Sequence, residues 1–514
     1  MSIWIRTRDG GLMSVGCIAL PGIPAILATL ASVLLLTLFQ ALWVLPAALG
    51  LGMSAFAGFL LLRGREADRT DSGGPGGRGG GPPRRRRRLA ALGVLGAAIL
   101  AGSVAVAFKG GCALVDEVVS PAPEPCPTGV TPYGKFERVE GIGVLTVWGP
   151  PYERGWAHGF LLARGVLDMV DSVCGSNLLL SDRSDYAAKI LPLVRNFSFE
   201  PDDESELKGI LDGVRAKLGD EAGLGRIGRP LSLDDLKAYN TAGDWYRQGC
   251  TSFAAWGAQT EGGHVWVGRN FDFMPARAFF PHQMIVVHRR NGADRAFATV
   301  SAPGLIGCIT AVNERGVFTS VHDVFLPLRP AEGTFTPRLL VLRRLVEACD
   351  ARDLEAQALP ILEARRQMFD NAVLLAAPVS DGTRPALVFE YNGDRTKDRG
   401  VTVRRSEDNE PELSREMITC ANHFRKRVVQ DLTFAPSEYR YPLMRRVLMA
   451  KTGRGEKVGF DVSRKTMGAV RLPITVHTAI LDLNALDFWF APGDFLSPPG
   501  NRDYVKLPLK TWLE

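Results

Sequence analysis

Arg247-Gln248-Gly249-Cys250-Thr251-Ser252-Phe253, followed one strand later by Gly268-Arg269-Asn270-Phe271-Asp272, is the stretch on which the reading of this chain turns. A cysteine preceded by glycine and followed by a small hydroxyl residue can become a new N-terminus if the Gly249–Cys250 bond cuts itself. The freed α-amine would titrate at about 7.7–8.0, close enough to neutrality to serve as base for its own thiol. Arg269 and Asp272 then bring the charges that hold such a nucleophile. Alone, Gly-Cys-Thr-Ser is a weak signal, because a lone cysteine is more often a small buried hydrophobe. The combination with the arginine and aspartate shifts the balance.

Around this stretch the texture of the chain changes. Before it, Phe136 to Trp148 is β-branched enough for strands, and Pro151 to Ser176 has helical spacing. Further helices are predicted between Asp182 and Arg247, with Ser232-Leu233-Asp234-Asp235 as an N-terminal cap. After Cys250 come short apolar or alternating runs at 252–258, 264–270, 283–289, 295–300, 307–312 and 317–322. Helices are predicted at 336–349 and 354–366, strands at 371–377, 386–391 and 417–421. A last helix near 437–451 precedes strands at 476–483 and 487–491. Strand clusters on both sides of helix pairs predict two sheets sandwiched between helical layers.

The first fifth reads differently. Gly10 to Leu62 holds no Asp, Glu, Lys or Arg, and Leu89 to Phe108 is a second uncharged run. A bilayer core takes about 20 apolar residues per helix, so three spans are expected, at about 13–39, 43–62 and 89–108. Between them, residues 63–88 carry nine arginines, five of them in Arg84–Arg88. A nucleic-acid tail is the alternative, but beside hydrophobic helices the positive-inside rule explains the run better. The sequence therefore predicts a multi-pass protein of the plasma (inner) membrane, anchored in the lipid bilayer, with everything after Lys109 on the extracytoplasmic side. Domain boundaries follow: anchor 1–109 with a basic cytoplasmic linker 63–88, Pro-rich linker 110–134, a segment 135–249 before the nucleophile, and a catalytic segment 250–514.

Of the 514 residues, 61 are Lys or Arg and 55 Asp or Glu, giving +6 and a pI near 8.9. Residues 1–109 hold twelve basic and four acidic residues, so the remainder is close to neutral, at −2. The alkaline balance belongs to the N-terminal part, and no nucleic-acid partner is implied. Eight cysteines are too few to build the fold from disulfides. Cys112 and Cys126 flank a Pro-rich stretch and are open to two readings, a disulfide or two free thiols. No CxxC pair or His/Cys cluster has zinc spacing, so neither metal nor cofactor is expected.

Three segments together resemble the Ntn-hydrolase family that includes the penicillin (acyl-CoA:6-aminopenicillanic acid) acyltransferases, distant cousins of bile-salt hydrolases, penicillin V acylases and acid ceramidase. They are Gly149-Pro150-Pro151-Tyr152-Glu153-Arg154-Gly155-Trp156-Ala157-His158-Gly159, the Gly249 to Asp272 stretch, and Cys420-Ala421-Asn422-His423-Phe424. Asn313-Glu314-Arg315-Gly316-Val317 is similar to a turn common to these enzymes. The similarity runs from about residue 140 to the C-terminus.

The resemblance implies an α/β fold, a four-layer αββα Ntn-hydrolase sandwich, here preceded by three transmembrane helices. It implies Cys250 as nucleophile, Arg269 beside the thiolate, Asp272 accepting from the α-amine, and Asn422 as oxyanion donor. The backbone N–H of Asp323 would be the second donor. Related enzymes often carry Asn there, so this aspartate is a departure. Arg440 would fall where a substrate-binding arginine sits. Each assignment has a plainer counterpart: Arg269 and Asp272 as a surface ion pair worth ~0–1 kcal/mol, Asn422 as a turn cap, His158 as a helix-ordering residue and not a base.

The expected function is a self-processing cysteine amidohydrolase or acyltransferase. It would cleave a linear amide, an N-acyl compound and not a peptide bond, through a thioester on Cys250 after autocleavage at Gly249–Cys250. The two resulting segments would stay associated. The alternatives are an ester or phospholipid deacylase of the phospholipase B-like type, and a catalytically inactive membrane receptor or scaffold. Phe253, Trp256, Phe273, Phe279, Phe280 and Trp489 are candidates for an apolar acyl pocket or simply for core.

Overall fold

The computed structural model describes residues 3–6, 12–15, 122–175, 185–246, 248–273, 277–324, 333–378, 384–391, 400–409, 413–427, 435–494, 497–500 and 502–514. The chain divides into two units, Met1–Ser120 and Pro121–Glu514.

In the first unit, β1 (Ile3–Arg6) pairs antiparallel with β2 (Leu12–Val15). This corrects the expected membrane anchor. Met13 to Val15, assigned to the start of the first span, lie in a strand. Among the described residues no helix is long and apolar enough to cross a membrane. Apolar content alone does not distinguish a spanning helix from a strand or a buried segment, and that is where the reading failed. The three-helix prefix and the multi-pass inner-membrane location are withdrawn. The rest of the three apolar runs, the Arg84–Arg88 cluster and Cys112 lie outside the described residues.

The second unit opens with β3 (Gly129–Thr131), β4 (Gly134–Val139) and β5 (Ile142–Val147). Helices α1 (Pro151–Leu161), α2 (Ala163–Cys174), α3 (Pro201–Leu218) and α4 (Leu233–Asn240) follow, with a small ribbon, β6 (Gly223–Leu224) and β7 (Arg229–Pro230), before α4. The predicted cap at Ser232 is a capping box: its hydroxyl accepts the Asp235 N–H and the Asp235 carboxylate accepts the Ser232 N–H.

Then come β8 (Gly249–Ala255), β9 (Trp266–Asp272), β10 (Met284–His288), β11 (Phe297–Ser301), β12 (Thr310–Asn313) and β13 (Phe318–Asp323). Helices α5 (Arg338–Ala348) and α6 (Leu354–Ala364) lead into β14 (Asn371–Ala376), β15 (Ala386–Tyr391), β16 (Val401–Arg404) and β17 (Met417–Cys420). The chain closes with α7 (Ala435–Thr452), α8 (Phe460–Ala469), β18 (Thr475–Asp482), β19 (Asp487–Pro492) and β20 (Val505–Leu507).

Ten strands form one sheet, in the order β16-β15-β14-β13-β12-β11-β10-β5-β4-β3, and six form the other, β17-β8-β9-β18-β19-β20. All neighbours are antiparallel except β10 and β5. Because side chains alternate across a strand, each sheet offers two apolar faces. Val144, Ile285, Val312 and Leu374 of the first sheet meet Ala254, Val267, Ala479 and Phe490 of the second in one core. Their neighbours Leu145, Val286, Ala311 and Leu375 pack on α1–α6. On the far side of the second sheet, Phe253, Met417 and Ile480 meet Met444, Leu448 and Met467 of α7 and α8. The layers run helix, sheet, sheet, helix. Cys250, Ser252 and Ala254 share the face of β8 turned toward the first sheet, so the nucleophile candidate sits between the two sheets.

Candidate active site

Cys250 pairs with Phe271, and Ser252 with Arg269, across β8 and β9. That register places the Arg269 guanidinium one step along the same face as the Cys250 thiol. Its Nη2 is 3.2 Å from the Cys250 Sγ, while Nη1 donates to the Val321 carbonyl at 3.0 Å. The arginine is thus fixed between the sheets against the sulfur, and the surface ion pair is excluded. Cys250 has no exposed area. Burial pushes its thiol up to about 11; Arg269 works against that, Asp323 and Asp272 add to it, and Arg440 lowers it.

Asn422, just beyond β17, holds the main chain on both sides of Gly249. Its Oδ1 accepts the Cys250 N–H at 2.8 Å, and its Nδ2 donates to the carbonyls of Gln248 at 3.2 Å and Asp323 at 2.9 Å. Oxygen and nitrogen of an amide are told apart by their partners. Here Arg440 decides, since a guanidinium only donates and its Nη2 lies 3.2 Å from Oδ1. The NH₂ must face the two carbonyls. The turn-cap reading of Asn422 does not describe these contacts.

Arg440, expected to meet substrate, is instead fully buried. It bridges the Asn422 amide and the Asp272 carboxylate, which also accepts from the Thr475 hydroxyl at 2.5 Å. Asp272 lies on the face of β9 away from the thiol. In the uncut chain the group on the Cys250 nitrogen is therefore Asn422, and Asp272 reaches it through Arg440.

Asp323, at the end of β13, was expected to offer only its backbone N–H. Its carboxylate is what stands out. Oδ2 accepts the Gln248 N–H at 2.6 Å, and both oxygens are held by Arg338. Arg338 in turn donates its backbone N–H to Asp244 at 3.2 Å. Burial pushes the Asp244 carboxyl up to about 7, with Arg338 opposing. Arg338 and Gln248 escaped the sequence reading, although one signal was there. An arginine as first residue of a helix opposes the positive end of the helix dipole, so it needs a particular acidic partner.

Two residues along β8 from Cys250, the Ser252 hydroxyl is 2.8 Å from the His322 Nε2. His322 Nδ1 lies 3.2 Å from the Ala372 carbonyl. A carbonyl only accepts, so Nδ1 carries the proton and Nε2 accepts from Ser252. His158 is structural as expected: its Nε2 accepts the Gly304 N–H at 2.8 Å, and burial pushes it down to about 4. The aromatic candidates separate. Phe273, Phe279 and Phe280 gather with Phe271 and Tyr246. Phe253 faces α7 and α8, and Trp489 stacks on Trp266 and Phe460.

Residues 259–458 match the acyl-coenzyme A:6-aminopenicillanic acid acyl-transferase family. The matched stretch contains Arg269, Asp272, Asp323, Asn422 and Arg440, and begins nine residues after Cys250. An uncharacterized protein of Archaeoglobus fulgidus is 26% identical over 202 residues, 34% of this chain and 32% of that protein. The chain thus spans about a third of that relative's length. Among solved structures, a Caenorhabditis elegans N-acylethanolamine-hydrolyzing acid amidase ortholog is 14% identical. It covers 46% of this chain and 93% of its own, at a TM-score of 0.34. A mutant conjugated bile acid hydrolase from Clostridium perfringens is 12% identical, covering 47% and 89%, at 0.30. Penicillin V acylase from Agrobacterium tumefaciens is 14% identical, covering 47% and 83%, at 0.29.

Proposed function

We propose that this chain, whose residues 259–458 match the acyl-coenzyme A:6-aminopenicillanic acid acyl-transferase family, is a self-processing cysteine amidohydrolase or acyltransferase. It would act on N-acyl amides through a thioester on Cys250. The observation that carries the proposal is the arrangement around Gly249 and Cys250. Arg269 touches the thiol at 3.2 Å, and Asn422 holds the nitrogen of Cys250 and the carbonyl of Gln248 at once.

Self-cleavage follows from that arrangement. With its thiol pushed up to about 11, Cys250 is protonated at neutral pH, so its proton must leave as the sulfur attacks. Sγ bonds to the Gly249 carbonyl carbon, the Gly249–Cys250 C–N bond breaks, and the thiol proton ends on the departing nitrogen. Water then hydrolyses the thioester, leaving a carboxylate on Gly249 and a free thiol and amine on Cys250. A free α-amine ordinarily titrates at about 7.7–8.0, so the one released on Cys250 can serve as the base.

In turnover the amine takes the thiol proton and the sulfur attacks the substrate carbonyl. The leaving amine carries the proton away, and water or a second amine accepts the acyl group. Arg269 favours the thiolate by its charge. The Asn422 NH₂, relieved of the Gln248 carbonyl, faces the developing oxyanion; such a donor contributes about 10²–10³ in rate.

Intact-mass analysis of the purified protein tests this. Wild type should yield a fragment beginning at Cys250, and Cys250→Ala should stay whole and inactive on acyl amides. A Cys250→Ala protein that still cuts, or a wild type that hydrolyses amides while whole, would overturn the proposal. Matched acyl amides and acyl esters, run side by side, separate it from an ester or phospholipid deacylase.

A further inference from the structure

In the uncut chain Gln248 is held at two points of its main chain. Its N–H goes to the Asp323 carboxylate at 2.6 Å and its C=O to the Asn422 amide at 3.2 Å. The Gln248 Oε1 makes no hydrogen bond, so the two main-chain contacts do not depend on that side-chain atom. The pair of contacts matches one chemical unit, an N–H and a carbonyl on the same carbon. It is also built into the site: Arg338 holds both oxygens of Asp323, and Arg440 fixes the Asn422 amide. Scission at Gly249 would leave a carboxylate near the Asp272–Arg440 pair, whose Oδ2 and Nη2 are 3.2 and 3.6 Å from the Cβ position of Gly249. Once cut, the tail is no longer tethered to Cys250, and its departure empties both contacts.

We infer that Asp323 and Asn422 form a two-point cradle for an –NH–CHR–C(=O)– unit, and that the acyl group removed by this enzyme is an aminoacyl group whose nitrogen bears a hydrogen. Substrates would be amides of N-acylated or peptide-linked amino acids, in preference to amides of plain fatty or aryl acids. The inference rests on the function proposed above, in which Asn422 serves the carbonyl under attack. It also gives the aspartate at 323 a reason. An asparagine there has one acceptor oxygen. Whichever way it turned, its NH₂ would oppose either the Arg338 guanidinium or the substrate N–H.

The test compares three 4-nitroanilides on the processed protein: acetylalanyl; acetyllactyl, in which oxygen replaces the N–H; and hexanoyl. The expected result is a kcat/KM for acetylalanyl about 10- to 100-fold above acetyllactyl, the range for a hydrogen bond to a charged acceptor. Hexanoyl should be slower than acetylalanyl. In Asp323→Asn the ratio of the first two should fall toward one. Equal wild-type rates on the first two, or a preference for hexanoyl, with the fragment starting at Cys250 present, would overturn the inference and leave the amidase reading standing. A whole, uncut protein that cleaves none of the three would sink that reading, and the inference with it. If Asp323→Asn does not fold, the wild-type ratio alone decides.

Discussion

Two arginines lie at the proposed nucleophile in different ways, and the difference between them is testable. Arg269 contacts the sulfur, whereas Arg440 never does; it turns the Asn422 amide and neutralises Asp272. Asn422→Ala should therefore slow appearance of the Cys250 fragment, because the amide holding the Cys250 nitrogen is lost, and should slow amide turnover by about 10²–10³, with a modest loss of stability. Arg440→Met should slow cutting too, but should also cost about 3–5 kcal/mol, because it strips a buried carboxylate of its countercharge. Time-resolved intact mass and urea unfolding measure the two effects separately. Unchanged cutting in Asn422→Ala would remove Asn422 from the mechanism. The residues at this scale were largely legible: Cys250, Arg269, Asp272, Asn422 and Arg440 meet in one place. What could not be read was direction. Sequence gives no sign that Arg440 points inward, or that the Asp323 side chain, and not just its backbone, faces the scissile segment.

Helix α1 explains a motif that plays no part in the chemistry. Gly155 and Gly159 lie one turn apart and face Gly209 and Gly213 of α3 so closely that a Cβ on Gly155 or Gly159 would sit on the carbonyl oxygen of Glu206 or Ile210. The helices touch backbone to backbone, with the buried Arg154–Glu206 pair at one end of the contact. Gly159→Ala should then cost roughly 3 kcal/mol, at the upper end for overpacking, because backbone cannot yield as a side chain can. Gly223→Ala, where a Cβ meets nothing within 4 Å, should change little. Thermal unfolding of the two variants compares them, and equal melting temperatures would refute the close-contact reading. Elements with strong periodicity fell where the sequence put them, as with β15 and α6. Missed were α8, whose apolar residues are sparse and interrupted by Gly468, and β16, an edge strand of four half-buried or polar residues. The N-terminal apolar runs misled because hydropathy measures apolarity and carries no information on backbone pairing.

The proposed cut would separate the chain without separating the fold. Within the second unit, residues before Gly249 supply β3–β7 and α1–α4, and β8–β20 and α5–α8 follow. Strand β5 pairs parallel with β10 from Gly143–Met284 to Val147–His288, so a run of main-chain hydrogen bonds joins the two pieces. The core on the helical side is likewise shared: Leu145, Val166, Ile210 and Leu236 pack in one cluster with Val286, Leu342 and Val373. Exposing that cluster would cost about 25 cal/mol for every Å² of apolar surface opened, which no pair of free pieces recovers. After processing, the fragment ending at Gly249 should co-elute with residues 250–514 on size exclusion. In a urea titration, release of that fragment should coincide with loss of near-UV circular dichroism, in one transition. A fragment that came away while the remainder kept its tertiary signal would mean that the ten-stranded sheet does not hold the two pieces together.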